Sequence, residues 1–290
     1  SRMMNSIAPF WDGNETWLVL GGGGLFAAFP VAYGIIMTGL YLPVTAMLFG
    51  LIMRGVAFEF RFKASSRRHV WDTFFFVGSV IATFSQGIML GALVQGLEAS
   101  NRLYTGGPFD WLSPFPIVCG FALIIGYALL GSTWLIIKTE HTLQVWARKV
   151  SGWMLLALVV AMIIVTGFMY FSDINALEDW FSFPSLLYLA PMPIIVVLLF
   201  FLMRKDLKTE REYRPFLLTV ALFLMGYIGV CFAMFPYIVP YQMTIYEAAA
   251  ADTSLSFMLI GAGIMLPIIL SYTAFAYYTF KGKSDHKPMY

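Results

Sequence analysis

Eight apolar runs of about 20 residues, separated by short loops that hold nearly all the charge, restrict this chain more than any other feature. An α-helix needs about 20 apolar residues to cross the roughly 30 Å hydrocarbon core of a bilayer. The runs lie near Glu15 to Tyr33, Ile35 to Phe58, Phe74 to Leu97, Phe115 to Ile137, Trp153 to Phe171, Leu186 to Met203, Phe216 to Pro236 and Phe257 to Phe280. Only 12% of the 290 residues are charged, against about 25% in soluble domains. The expected fold is therefore all-α, a polytopic transmembrane helical bundle with eight spans, forming a single integral membrane domain over residues 1–290. Disorder, collagen and a disulfide scaffold are excluded. Cys119 and Cys231 lie far apart inside apolar runs and read as small packing residues.

Basic residues of short loops stay on the cytoplasmic side. One set of alternating loops holds sixteen of the 18 Lys and Arg residues: Arg2, then Arg61 to Arg68, then Lys138 to Lys149, then Arg204 to Arg214, and last Lys281, Lys283 and Lys287. The other set contains only Arg102 beside Glu98, Asp110, Asp173, Glu178, Asp179, Glu247 and Asp252. This pattern puts both ends of the chain in the cytoplasm. The near-balance of charge gives no basis for binding nucleic acid. Ser1 is no initiator and no signal peptide follows it, so an N-terminal truncation is expected.

Aromatics at the span ends, among them Trp71, Trp134, Trp180 and Tyr277, read as interfacial anchors. Gly87 and Gly91 form a GxxxG pair for close helix packing, and the Gly21–Gly24 run reads as close packing in preference to a hinge. Gln86 and Gln95 read as hydrogen-bonding glue between helices. Phe26-Ala27-Ala28-Phe29-Pro30 is echoed by Phe232-Ala233-Met234-Phe235-Pro236, a hint of two pseudo-symmetric four-helix halves.

Ionisable groups in hydrocarbon cost about 2.5–3.5 kcal/mol on insertion scales, so they are functional candidates by default. Here they gather in Trp11-Asp12-Gly13-Asn14-Glu15-Thr16-Trp17 and in Arg54. With a tight turn near Gly34, Asp12, Glu15 and Arg54 lie at matching depths, and Arg54 can pair with either acid while Asn14 and the indoles of Trp11 and Trp17 donate nearby. Two readings stay open: a salt bridge that fixes the hairpin's register, or a carboxylate cluster that exchanges protons with the cytoplasm. Glu59, Arg61 and Lys63 read as a solvated rim. The histidines, His69, His141 and His286, all fall in loops or the tail, which leaves no His ligand for haem inside a span. No metal or nucleophile motif is present.

The stretch Asn5-Ser6-Ile7-Ala8-Pro9-Phe10-Trp11-Asp12-Gly13-Asn14-Glu15-Thr16-Trp17-Leu18 resembles the signature of subunit II of the cytochrome bd-type quinol oxidases. The likeness continues through Gly22–Pro30, Arg54–Arg61, Ala233–Pro236 and Leu266–Ala274, and the short loops look more like the cyanide-insensitive branch. The resemblance implies a nine-helix subunit of the bacterial cytoplasmic membrane whose first helix lies upstream of Ser1. It implies a partner, subunit I, which carries two b-type haems and one d-type haem and oxidises quinol with O2, while subunit II ligates no haem or metal. Small accessory subunits accompany some members. The resemblance further implies that subunit II helps deliver cytoplasmic protons and, in some members, offers an oxygen route or holds a structural quinone. On this chain Asp12 matches the proton-path aspartate with Trp11 beside it, Trp17 the tryptophan at the oxygen inlet, and Arg54 the arginine of the next helix. Glu15 stands where relatives often have glutamine, which suggests a shared proton with Asp12. The competing reading from another class is a secondary transporter with a midplane site between repeats, and a third is a scaffold that shields the partner's haems.

Overall fold

The computed structural model describes residues 2–64, 67–171 and 190–284. A short N-terminal helix, α1 (Arg2–Asn5), leads into α2 (Trp11–Ala28), α3 (Pro30–Gly39), α4 (Tyr41–Lys63), α5 (Arg68–Gln95), α6 (Pro114–Lys138) and α7 (His141–Phe171). The rest comprises α8 (Pro191–Lys208), α9 (Arg214–Met234), α10 (Ile245–Ala248) and α11 (Asp252–Thr279). Two small antiparallel hairpins, Ala99–Ser100 with Leu103–Tyr104 and Tyr237–Val239 with Met243–Thr244, complete the described chain. The all-α expectation holds.

Six of these helices, α4, α5, α6, α7, α9 and α11, are long and apolar enough to cross a membrane. Among the described residues the count of eight spans is not reached. The expected first span begins in a polar stretch and breaks at Phe29, where Pro30 lacks the N–H that would continue the ladder and opens α3 instead. The expected sixth appears as α8, whose last turns carry Arg204, Lys205, Asp206 and Lys208. Its expected start at Leu186 lies outside the described residues, as do Asp173, Glu178, Asp179, Trp180, His286 and Lys287. The turn expected at Gly34 is also displaced. Gly34 is helical within α3, and α3 as a whole stands between α2 and α4.

The spanning helices pack as successive hairpins that glycine brings close. A Cβ on Gly50 would sit 2.7 Å from the Gly78 carbonyl across α4 and α5, and one on Gly87 would sit 2.6 Å from both the Cys119 carbonyl and Gly120 Cα across α5 and α6. Such separations are possible only without a side chain, so the Gly87–Gly91 expectation is met. The Gly21–Gly24 expectation is not. Beyond the helix's own backbone, no described atom comes within 4 Å of a Cβ at any of those four positions, so the run is helical without a close neighbour among the described residues.

At one end of the bundle, α3, the C-terminal end of α5 and both hairpins share a core built on Ile35, Leu40, Leu97, Val239 and Met243. The two Phe-Pro echoes converge there, and Ala250 N donates to the carbonyl of Ala28. At the opposite end the N-terminal segment, the α6–α7 and α8–α9 junctions and the C-terminal tail meet. Ser284 Oγ donates to the Arg2 carbonyl at 3.2 Å, so both described ends of the chain lie together.

Candidate functional site

The candidate residues are held by the wedge of chain at Arg2–Phe10 and the first turns of α2. Met4, Ala8 and Phe58 form a small core with Trp11, whose ring lies 5.1 Å from Phe58. That contact fastens the start of α2 to α4, one turn from Arg54. Glu15 lies thirteen residues before the end of α2, and Arg54 thirteen after the start of α4. Each is therefore about 20 Å from the α3 junction at 1.5 Å per residue, and the depth match survives the displaced turn.

The two side chains meet. Arg54 Nη2 and Nε donate to the same Glu15 Oε1 at 2.6 and 3.0 Å, with the side chains 28% and 22% exposed. Of the two acids offered by the sequence, Glu15 takes the arginine. Asp12 is exposed in the first turn of α2, where a carboxylate complements the helix dipole, and it has no ion pair among the described residues. Within the described residues Asn14 and the indoles of Trp11 and Trp17 do not donate to the pair, contrary to expectation. Asn14 instead lines a cavity, and Trp17 is 36% exposed. The sequence pattern alone cannot choose among donors that share a helix face.

Asn14 and Arg54 open onto a cavity of about 540 Å³ between α2, α5, α6, α9 and α11. Its wall is mostly apolar, with Phe10, Trp134 and Phe216 among its rings, and its polar points include Ser79, Thr83 and Tyr127. The Tyr127 hydroxyl donates to Gln86 Oε1 at 2.9 Å, and Ser113 Oγ donates to Gln95 Oε1 at 2.6 Å, so both glutamines do join segments.

Two expectations about bland positions fail. Arg61 is no part of a solvated rim: it is 9% exposed, pairs with Asp72 across the α4–α5 junction and lies over the Phe62 ring. Trp134 is no mere anchor. Its indole donates to the Ser6 carbonyl at 3.1 Å and its ring meets Phe10, Phe216 and Tyr277. Both partnerships cross elements distant in sequence, and residue type alone carries no signal for them.

Sequence reasoning also missed two charged groups at this end of the bundle. Asp206 is 1% exposed and faces Arg214 at 3.2 Å and Arg211 at 3.7 Å. Lys138 is 4% exposed, donates to the Phe280 and Gly282 carbonyls, and lies 5.1 Å from the Trp134 ring centroid. Of the histidines, His69 opens α5 and His141 opens α7, both at helix ends. Among the described residues no three His, Cys, Asp or Glu side chains gather to hold a metal ion.

Comparison with known proteins identifies a family. A cytochrome bd-I ubiquinol oxidase subunit 2 of Escherichia coli K12 is 29% identical over 320 residues, covering 97% of this chain and 84% of that protein. A cytochrome bd ubiquinol oxidase subunit 2 of Bacillus subtilis is 29% identical over 296 residues, with 98% and 85% covered. A probable cytochrome oxidase subunit 2 of Haemophilus influenzae is 28% identical over 318 residues, with 98% and 84% covered. In fold, the chain resembles one in the structure of bd oxidase from Geobacillus thermodenitrificans, with a TM-score of 0.77 at 15% identity, over 96% of this chain and 87% of that one. The sequence profile described as "Cytochrome bd terminal oxidase subunit II" matches residues 1–280, and the chain belongs to that family.

Proposed function

We propose that this chain is the haem-free subunit II of a membrane quinol:O2 oxidoreductase, supporting a haem-bearing subunit I and helping to bring cytoplasmic protons to the site of O2 reduction. Family membership supports the oxidase assignment and counts against the secondary transporter. The haem-free reading is supported by His69 and His141, which sit at helix ends where a haem inside the bundle is out of reach. Electrons pass from quinol through the partner's two b-type haems and one d-type haem. Protons for water formation come from the cytoplasm and quinol protons leave on the opposite side, so the reaction is electrogenic without a pump. Both chain ends face the cytoplasm, as the sixteen-to-one distribution of basic residues requires.

The observation that carries the proton role is the Glu15–Arg54 pair at the rim of the 540 Å³ cavity, with the exposed Asp12 one turn away on the same helix. Asp12 stands at the helix mouth as the first group of the relay, Glu15 on Arg54 stands next along α2, and Asn14 borders the cavity beyond. Trp11 fixes the register of the acids on α4, and the exposed Trp17 borders the oxygen inlet.

Asp12→Asn in the assembled oxidase tests the reading. Quinol-dependent O2 uptake is expected to fall about tenfold with haem content intact, less than the roughly 10²-fold loss of a sole proton donor. Full assembly with wild-type turnover from acid to alkaline pH would refute the proton role and leave the scaffold.

A further inference from the structure

We propose that Phe10 is a gate between the Arg54 cavity and a second, tail-covered vestibule, and that water and hydronium enter the cavity by this route. The vestibule is a separate cavity of about 240 Å³ at the end of the bundle where the chain ends meet. One water needs only about 10–15 Å³ and two to four polar partners. The vestibule supplies these from Ser6, Lys138, Thr279, Lys283 and Ser284. The Arg54 cavity supplies them from Asn14, Ser79, Thr83 and Tyr127. Phe10 is the one residue that lines both.

The Phe10 ring is 7% exposed and sits in an aromatic box. It stacks on Tyr277 at 4.4 Å between centroids and meets Trp134 and Phe280 edge-on at 5.7 and 6.2 Å. It belongs to no helix interior. Phe10 caps α2 with φ −124° and ψ −20°, at a joint between two helices. The ring thus separates the two spaces, at a joint where Phe10 N donates to the Ile7 carbonyl at 2.9 Å and the Phe10 carbonyl accepts from Asn14 N at 3.0 Å.

The tail makes a latch over the vestibule. Lys138 donates to the carbonyls of Phe280 and Gly282, and Ser284 N donates to the Lys138 carbonyl. Lys283 Nζ reaches Glu212 Oε2 at 2.8 Å and the Thr139 carbonyl at 3.2 Å. Phe280 belongs to both latch and box, so lifting the tail removes one wall from Phe10.

Passage is tested in the assembled oxidase in membrane vesicles, with Cys119→Ala and Cys231→Ala as background and Thr83→Cys as reporter inside the cavity. The probe is a membrane-impermeant cationic methanethiosulfonate. Thr142→Cys marks the face that carries the tail, and Asn101→Cys marks the other. Phe10→Ala is expected to speed labelling of Thr83→Cys about tenfold, equivalent to one decade of barrier, and only from the Thr142 face. Lys283→Ala is expected to act in the same direction with a smaller effect. Phe10→Val keeps an apolar side chain but leaves the gate half open, and it is used if the alanine variant loses its haem. Unchanged labelling in either Phe10 variant, with haem spectrum and Thr142→Cys labelling intact, overturns the gate, as does faster labelling from the Asn101 face.

The gate takes its purpose from the proposed proton delivery, yet the two fail separately. Labelling reports passage, whereas turnover of Asp12→Asn reports proton use. Faster labelling with a fully active Asp12→Asn enzyme removes the proton role and keeps the gate. Unchanged labelling with a slow Asp12→Asn enzyme does the reverse.

Discussion

The Glu15–Arg54 pair permits a test that separates the two acids of α2. Both donors of Arg54 converge on one oxygen at 2.6 and 3.0 Å, and each side chain keeps about a quarter of its surface exposed within the chain. Exposed pairs contribute about 0–1 kcal/mol, and breaking a buried pair by removing one partner costs roughly 3–5 kcal/mol. Partial burial puts the coupling between Glu15 and Arg54 at roughly 1–2 kcal/mol on these scales. The perturbation is a double-mutant cycle of Glu15→Gln, Arg54→Gln and both together, read as the melting midpoint of the purified oxidase. Each single change strands one polar partner at the cavity rim, so the double variant is expected to be more stable than the sum of the singles predicts. At about 2–4 °C per kcal/mol for chains of this order of size, the non-additivity is roughly 2–8 °C. The matching cycle with Asp12→Asn is expected to be additive within about 0.3–0.5 kcal/mol. Additivity for Glu15, or equal coupling for Asp12, would refute the assignment of Glu15 as the partner.

Other predictions concern the frame around the site. Gly87→Leu forces α5 and α6 apart by roughly 1 Å where a Cβ already meets backbone at 2.6 Å, and such overpacking is expected to cost about 1–3 kcal/mol or more, seen as a lower melting midpoint and yield. Glu212 has its carboxyl held below the usual range, first by the Lys283 hydrogen bond and then by Gln144, with Lys283 and Arg148 adding attraction against the opposing effect of burial. A depressed acid stabilises the tail above its ordinary value of 4.5 and loses that contribution as pH falls through its lowered value. Proteolysis of the tail in the purified oxidase is therefore expected to rise below about pH 4.5, and Glu212→Gln is expected to raise it at neutral pH and remove the pH dependence. Tyr104, in the first hairpin, has its phenol pushed up to about 12 by burial and then by the Asp110 hydrogen bond. Its tyrosinate absorbance is expected only in strong alkali, and Tyr104→Phe, which strips a donor from the Gly107 carbonyl, is expected to cost about 1 kcal/mol in thermal unfolding.

What the sequence determined by itself is the part that the bilayer dictates residue by residue. Run length and hydropathy give spanning helices because backbone groups in lipid must bond within the helix. The few polar residues in apolar surroundings stand out for the same reason, so Glu15 and Arg54 were visible before their contact was. The family signature at Asn5–Leu18 added what composition cannot carry. The tertiary structure alone decided which groups meet. Pro30 could have opened a kink or a new helix, and only the shared core of α3 with Ile35, Leu97 and Val239 makes it a separate element. Arg54 chose Glu15 over Asp12 because Trp11 on Phe58 sets the rotation of α2 against α4. Arg61, Trp134 and Lys138 left the surface roles their types suggest because Asp72, Ser6 and the Phe280–Gly282 tail come to them from elsewhere in the chain. Local hydropathy is summed along the chain and is legible there. A contact between distant segments depends on helix rotation and on the position of each break, which neighbouring residues do not encode.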